Sequence, residues 1–189
     1  MNLVSVEPVW RPESQQRGYR VLLDAMSYPG RVLDLRDAFG ESRAELGILA
    51  CLIDDIVTFS DPDGRLDARE RGMLNAPCIA PDLADYILHA AERPPLPDYT
   101  PKLGSLYRPD DSATLILSGV EVGQGPLTLL LEGPGIEHQA ELRLTGFDPA
   151  WFARRDAWVS NFPEGVDLFL CDRFRVAALP RTSRVRQTE

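Results

Sequence analysis

Lysine is almost missing from this chain. Twenty of its 189 residues are cationic, and Lys102 stands alone among nineteen arginines. Chemistry that needs a Schiff-base lysine therefore has one candidate, set in a proline-rich polar stretch where a solvated ammonium is the default. Histidine is as scarce: His89 and His138 stand apart, with no HxH, HxxxH or HExxH around either, so metal-ligand spacing is absent. The three cysteines, Cys51, Cys78 and Cys171, are widely separated and form no CxxC pair. They read as buried free thiols in a reducing cytosol. There is no GxSxG elbow, and no serine or cysteine has a recognisable base partner, so nucleophilic catalysis has no support. No apolar run is long enough to span a bilayer and no leader pattern opens the chain, so a soluble, cytoplasmic protein is expected. The formal charge of -9 and a pI near 4.8 argue against binding nucleic acid or anionic membrane over the whole surface.

What the chain does have is core-forming material. Forty-four percent of its residues are hydrophobic, enough for one domain over 1–189. After an irregular arm over 1–13, in which Val9 and Trp10 can tack the chain to the body or to another chain, Ser14 is a plausible cap for a helix through Ser27. Tyr19, Leu22, Leu23 and Met26 supply its apolar stripe. A short strand over 32–35 follows the Tyr28-Pro29-Gly30 stop. Ser42-Arg43-Ala44-Glu45 fits a capping box ahead of LGILACLI (46–53), a helix apolar on all sides. Short strands are expected near 56–59, 78–80 and 84–88, with a short helix over 66–74; ADYILHAA (84–91) reads equally well as helix. Residues 92–112 hold five prolines and read as an extended loop, with one helical turn possible near Lys102. Strands at 113–117, 127–131 and 140–144, joined by short glycine-rich links, suggest an antiparallel meander. GVEVGQGPLT lacks the third glycine of a dinucleotide loop, because Thr128 occupies that place, and reads as a hairpin turn. Asp148-Pro149 starts a last helix with an aromatic face of Trp151, Phe152 and Trp158.

The sharpest contrast in charge lies at the end. Val166 to Cys171 reads as a buried strand, Asp172-Arg173 as a reversal, and Phe174 to Leu179 as a second strand that Pro180 ends. Between Arg173 and Thr188 there are five arginines and no acid. A terminal hairpin in the sheet would deliver Arg181, Thr182, Arg184 and Arg186 to one edge, where guanidinium and hydroxyl donors suit a phosphate or carboxylate. The alternative is a solvated basic tail that keeps an edge strand soluble. Arg17 and Arg20 on the first helix could join this group as one basic rim. The ligand- or partner-binding candidates are thus Arg20, Arg181, Thr182 and Arg184. No catalytic residue and no metal site are assigned. Asp167, at the start of an apolar strand, is expected to cap or to pair with an arginine.

YRVLLDAMSYPG (19–30), SATLILSG (112–119), LEGPGI (131–136), FPEGVDLFL (162–170) and ALPRTSRV (178–185), in this order, resemble the PhnH subunit of the bacterial carbon–phosphorus lyase core complex; NAP (75–77) fits the same pattern. The resemblance implies an α/β fold, a mixed sheet flanked by helices, similar to a reduced pyridoxal-phosphate-dependent transferase large domain without the cofactor. It implies an accessory subunit, not itself the catalytic chain, that supports formation of a ribose-1-alkylphosphonate 5-triphosphate from ATP and alkyl phosphonate. The implied partners are the G, I and J subunits, with a homodimer when isolated; no cofactor, nucleic acid or membrane is expected. A stand-alone transferase or binder of a phosphorylated ligand on the basic rim is the enzymatic alternative. A purely structural homodimer is a third.

Overall fold

Two apolar runs, TLILS and DLFLC, form the centre of the molecule because they are buried on both faces, as neighbouring parallel strands require. A computed structural model describes residues 7–188. In chain order its elements are α1 (Pro12–Ser27), β1 (Leu33–Asp34), α2 (Arg36–Phe39), α3 (Ala44–Leu52), β2 (Phe59–Ser60), α4 (Ala68–Leu74), β3 (Tyr86–Ala90), β4 (Thr114–Ser118), β5 (Glu121–Glu132), β6 (Ala140–Thr145), α5 (Ala150–Trp158), β7 (Asp167–Cys171), β8 (Arg175–Leu179) and β9 (Arg184–Thr188). A six-stranded mixed sheet runs β1-β8-β7-β4-β3-β2, and a three-stranded antiparallel sheet runs β6-β5-β9. Strands β2, β3, β4 and β7 are mutually parallel, whereas β8 runs against β7 and β1 against β8.

The strand period of two sorts the core into two layers. Ile116 and Phe169 turn to one side, where they join Leu22, Phe39, Ile48 and Leu49 of the first three helices. Leu115, Leu117, Leu168 and Leu170 turn to the other, where they meet Leu129, Leu142 and Leu144 of the small sheet and Trp151 and Phe152 of α5. The mixed α/β sheet is therefore as expected, but helices cover only one face; the other carries a second sheet with one helix.

Several local expectations change. The first six residues of the expected arm lie outside the described residues; the rest makes a 3-10 turn at Pro8–Trp10, with Val9 fully buried. Helix α1 starts before Ser14, and that side chain accepts from Arg17 Nη2 at 3.1 Å instead of capping. No capping box forms at 42–45: the N-cap is Arg43, whose side chain does not cap the helix, and Glu45 faces inward. A box does close α4, between Asp67 and Glu70. The loop over 92–112 has its 3-10 turn at Pro109–Asp111 and a bridge between Leu103 and Ser112.

The expected meander holds for β5 and β6, which pair antiparallel, but not for β4. β4 pairs only within the parallel sheet, and the chain switches sheets at Gly119, where a Cβ would stand 2.2 Å from the Phe147 ring. β5 runs straight through GVEVGQGPLT, and only a register shift between Val122 and Leu127 marks the predicted turn. Gly125, at φ +142°, makes this possible, since a Cβ there would meet the Leu144 carbonyl oxygen at 2.1 Å.

Candidate functional site

The C-terminal hairpin forms as its sequence suggests. β7 and β8 pair from Leu168↔Leu179 to Cys171↔Val176. Asp172 organises the reversal: its Oδ1 accepts from the backbone N–H of Phe174 at 2.9 Å and Arg175 at 2.8 Å, while Oδ2 accepts from Val122 N at 2.9 Å and Arg175 Nε at 2.8 Å. The basic segment beyond Pro180 is no solvated tail, however. It crosses to the second sheet and becomes β9, paired with β5 from Glu132↔Arg184 to Thr128↔Thr188.

Arg155 of α5 holds that crossover. It is fully buried, and its Nη2 donates to Pro180 O at 2.6 Å and to Ser183 O at 3.1 Å. Its Nε and Nη1, like the Ser183 hydroxyl, have no hydrogen-bond partner. Burial pulls this guanidinium down to about 10, against the attraction of Asp156 and Asp167, and it stays charged at neutral pH. Arg155 is absent from the sequence-level candidates because RRDAW reads as a solvated helix face; no pattern separates its buried arginine from the half-buried Arg154.

Arg155, Arg181, Thr182 and Arg184 line one open cavity of about 700 Å³ at the amino end of β7. The structure thus brings three predicted residues together and adds a fourth. It also assigns Arg181 an internal role. Its Nη2 contacts Asp167 Oδ2 at 2.6 Å and the Ser112 hydroxyl, Nη1 donates to Pro109 O at 2.8 Å, and its backbone N–H donates to Asp167 Oδ1 at 2.7 Å. Asp167 is the arginine partner it was expected to be. The guanidinium left open to a ligand or partner is that of Arg184, with Arg186 two residues on, both exposed on β9.

Arg20 does not join them. It is exposed on α1, whose Leu22 and Ala25 belong to the helical layer, whereas β9 seats Val185 in the opposite layer. No single basic rim forms. Lys102 is not a free ammonium either: it is ion-paired with Asp85 at the amino end of β3. Of the three thiols expected to be buried, Cys171 is buried, Cys51 is partly so and Cys78 is exposed; burial pushes Cys51 up to about 12 and raises Cys171, so neither of these is an activated nucleophile. Among the described residues no group of three or more His, Cys, Asp or Glu side chains is placed to hold a metal ion. The arrangement can hold an anion by guanidinium and hydroxyl donation; it offers no nucleophile with a base beside it.

Fold and cavity together define a mixed-sheet α/β protein with a basic surface cleft. The chain belongs to the family of bacterial phosphonate metabolism proteins called PhnH, whose model matches residues 9–186. It is 38% identical over 177 residues to HtxG of Stutzerimonas stutzeri, named as a C–P lyase subunit protein, covering 94% of this chain and 88% of that one. It is 27% identical over 195 residues to the alpha-D-ribose 1-methylphosphonate 5-triphosphate synthase subunit PhnH of Rhizobium meliloti (strain 1021), covering 96% of this chain and 93% of that protein.

Proposed function

We propose that this chain is an accessory, noncatalytic subunit of a carbon–phosphorus lyase complex in phosphonate catabolism, acting as one domain. The observation that carries this reading is the family match from residue 9 to residue 186, which takes in the helical layer, both sheets and the basic crossover. In that role the chain supports the exchange at C1 of the ribose of ATP in which an alkyl phosphonate oxygen bonds to C1 as the bond to adenine breaks and adenine leaves, with the chemistry on another subunit. The G, I and J subunits are its proposed partners, a homodimer its isolated state and the cytoplasm its compartment. A scaffold similar to a reduced pyridoxal-phosphate-dependent transferase large domain, without the cofactor, belongs to the same proposal; the sole lysine, held by Asp85, supports it. Coexpression with the G, I and J subunits tests this: the chain should co-purify with them at fixed stoichiometry, and failure to associate under any condition refutes it.

A second reading is that of a stand-alone binder of a phosphorylated ligand. What favours it is the buried, half-satisfied Arg155 under the cleft that carries Thr182 and Arg184. Calorimetry with ATP on the isolated chain decides: measurable binding that Arg184→Ala weakens supports it, and the absence of binding to the unsubstituted chain removes it.

A further inference from the structure

At the carboxyl ends of β2 and β3, away from the basic cleft, lies a cavity of about 340 Å³ that the subunit role does not use. In parallel sheets this end is where ligands bind. His89 of β3, Tyr99 of the following loop and Trp151 of α5 line it, and Pro94 and Leu96 complete its apolar walls. The rings form a cluster: the His89 centroid is 4.7 Å from Trp151 and 5.3 Å from Tyr99.

The walls are fixed in advance. Trp151 Nε1 donates to Arg93 O at 2.7 Å and Arg154 Nη2 donates to Tyr99 O at 2.7 Å, so α5 pins both ends of the loop that closes the cavity. Asp63 is fixed as well, accepting from Ala90 N at 2.9 Å and Arg93 Nη1 at 3.0 Å. Its carboxylate faces His89 Nδ1 at 3.4 Å. With the imidazole proton on Nδ1, toward this carboxylate, Nε2 is a lone-pair acceptor. Burial lowers the His89 pKa, which keeps the ring neutral.

Two polar atoms of this cluster are unsatisfied. His89 Nε2 and the Tyr99 hydroxyl are buried without a hydrogen-bond partner. Buried polar groups in native proteins are nearly always paired, so an orphaned acceptor and hydroxyl beside one apolar cavity ask for a matching group. The charge balance narrows what that group is. Asp63 and Arg93 satisfy each other at the mouth, and no further cation lines the cavity to hold an anion.

We propose that this cavity is a binding site for a neutral, flat, ring-bearing small molecule that donates an N–H or O–H to His89 Nε2. The aromatic and proline walls take the ring faces, the volume suits one or two fused rings, and the donor edge is read by the neutral imidazole. The site stands whether or not the chain assembles with other subunits, so it is tested on the isolated chain.

The chain has only two histidines, and His138 is exposed, which makes the His89 imidazole a clean reporter. The probes are indole, which carries the donor, and 1-methylindole, which does not. In an NMR titration indole should shift the His89 ring nitrogens saturably while His138 stays put. 1-Methylindole should bind about tenfold more weakly, the loss of one buried hydrogen bond. Leu96→Arg, at a position 75% exposed on the rim and therefore safe for folding, should block entry and abolish the shift. An unsaturable response, equal affinity for the two probes, or indole binding unchanged in Leu96→Arg would each overturn the proposal.

Discussion

Glu45 shows how far one side chain can depart from its local pattern. It sits three residues after Ser42, as a capping glutamate would, yet only 2% of it is exposed. Its carboxylate accepts from Arg43 Nη1 at 2.9 Å, Arg65 Nη2 at 3.1 Å and the Ser118 hydroxyl at 3.1 Å. A buried carboxylate must find such donors, and that demand outweighs a capping bond at a helix start. Glu45→Ala should therefore cost about 3 kcal/mol or more, because it strands Arg65 beside the core. The drop in urea midpoint at constant slope measures it. His89 gives a pH signature at the same scale. Burial, against the pull of Asp63, holds its folded pKa below the ordinary 6.5. The unfolded chain then takes up the proton first, so this contribution to stability is whole above pH 6.5 and is lost as pH falls through the lowered value. Denaturation midpoints across that range should show the decline, and His89→Phe should flatten it. The sequence showed His89 and Glu45 as residues but not their surroundings, since both depend on chain segments far away.

At the level of elements, legibility followed continuity. β4, β7 and β8 were readable because unbroken apolar runs bounded by turn residues leave few alternatives. β9 was not: RVRQT has one apolar side chain, Val185, and its strand state comes from pairing with β5. The predicted meander lost its first strand, β4, for a related reason. A short link does imply that two strands are close, but Gly119 lets the chain change sheets in a step that loop length cannot reveal. Gly125 makes the same point in reverse: Gly123-Gln124-Gly125 has the composition of a turn, yet it permits close approach to β6. Gly125→Ala should cost roughly 1–3 kcal/mol or more in stability, as the new Cβ would have no room before the Leu144 carbonyl. Differential scanning calorimetry of that variant checks it.

Across the whole molecule, the two ends of the parallel sheet have different characters. The amino end carries the arginine-held crossover, and the carboxyl end carries the aromatic cavity. Of the predicted site, Arg181, Thr182 and Arg184 came together because they are neighbours in sequence. Arg20 did not, because which layer α1 occupies is decided by packing alone. If an acidic partner docks on β9, Arg184→Glu combined with Arg186→Glu should sharply reduce co-purification with the G, I and J subunits. The same double variant should change stability by only about 0.5 kcal/mol per site, since both positions are exposed. Pull-down yield beside a thermal melt separates these outcomes.

The central strand of the small sheet, β5, finds its last neighbour some sixty positions downstream, with Thr128 opposite Thr188. On the ribosome that neighbour emerges long after β5 itself, so one flank of β5 stays bare until β9 has been made.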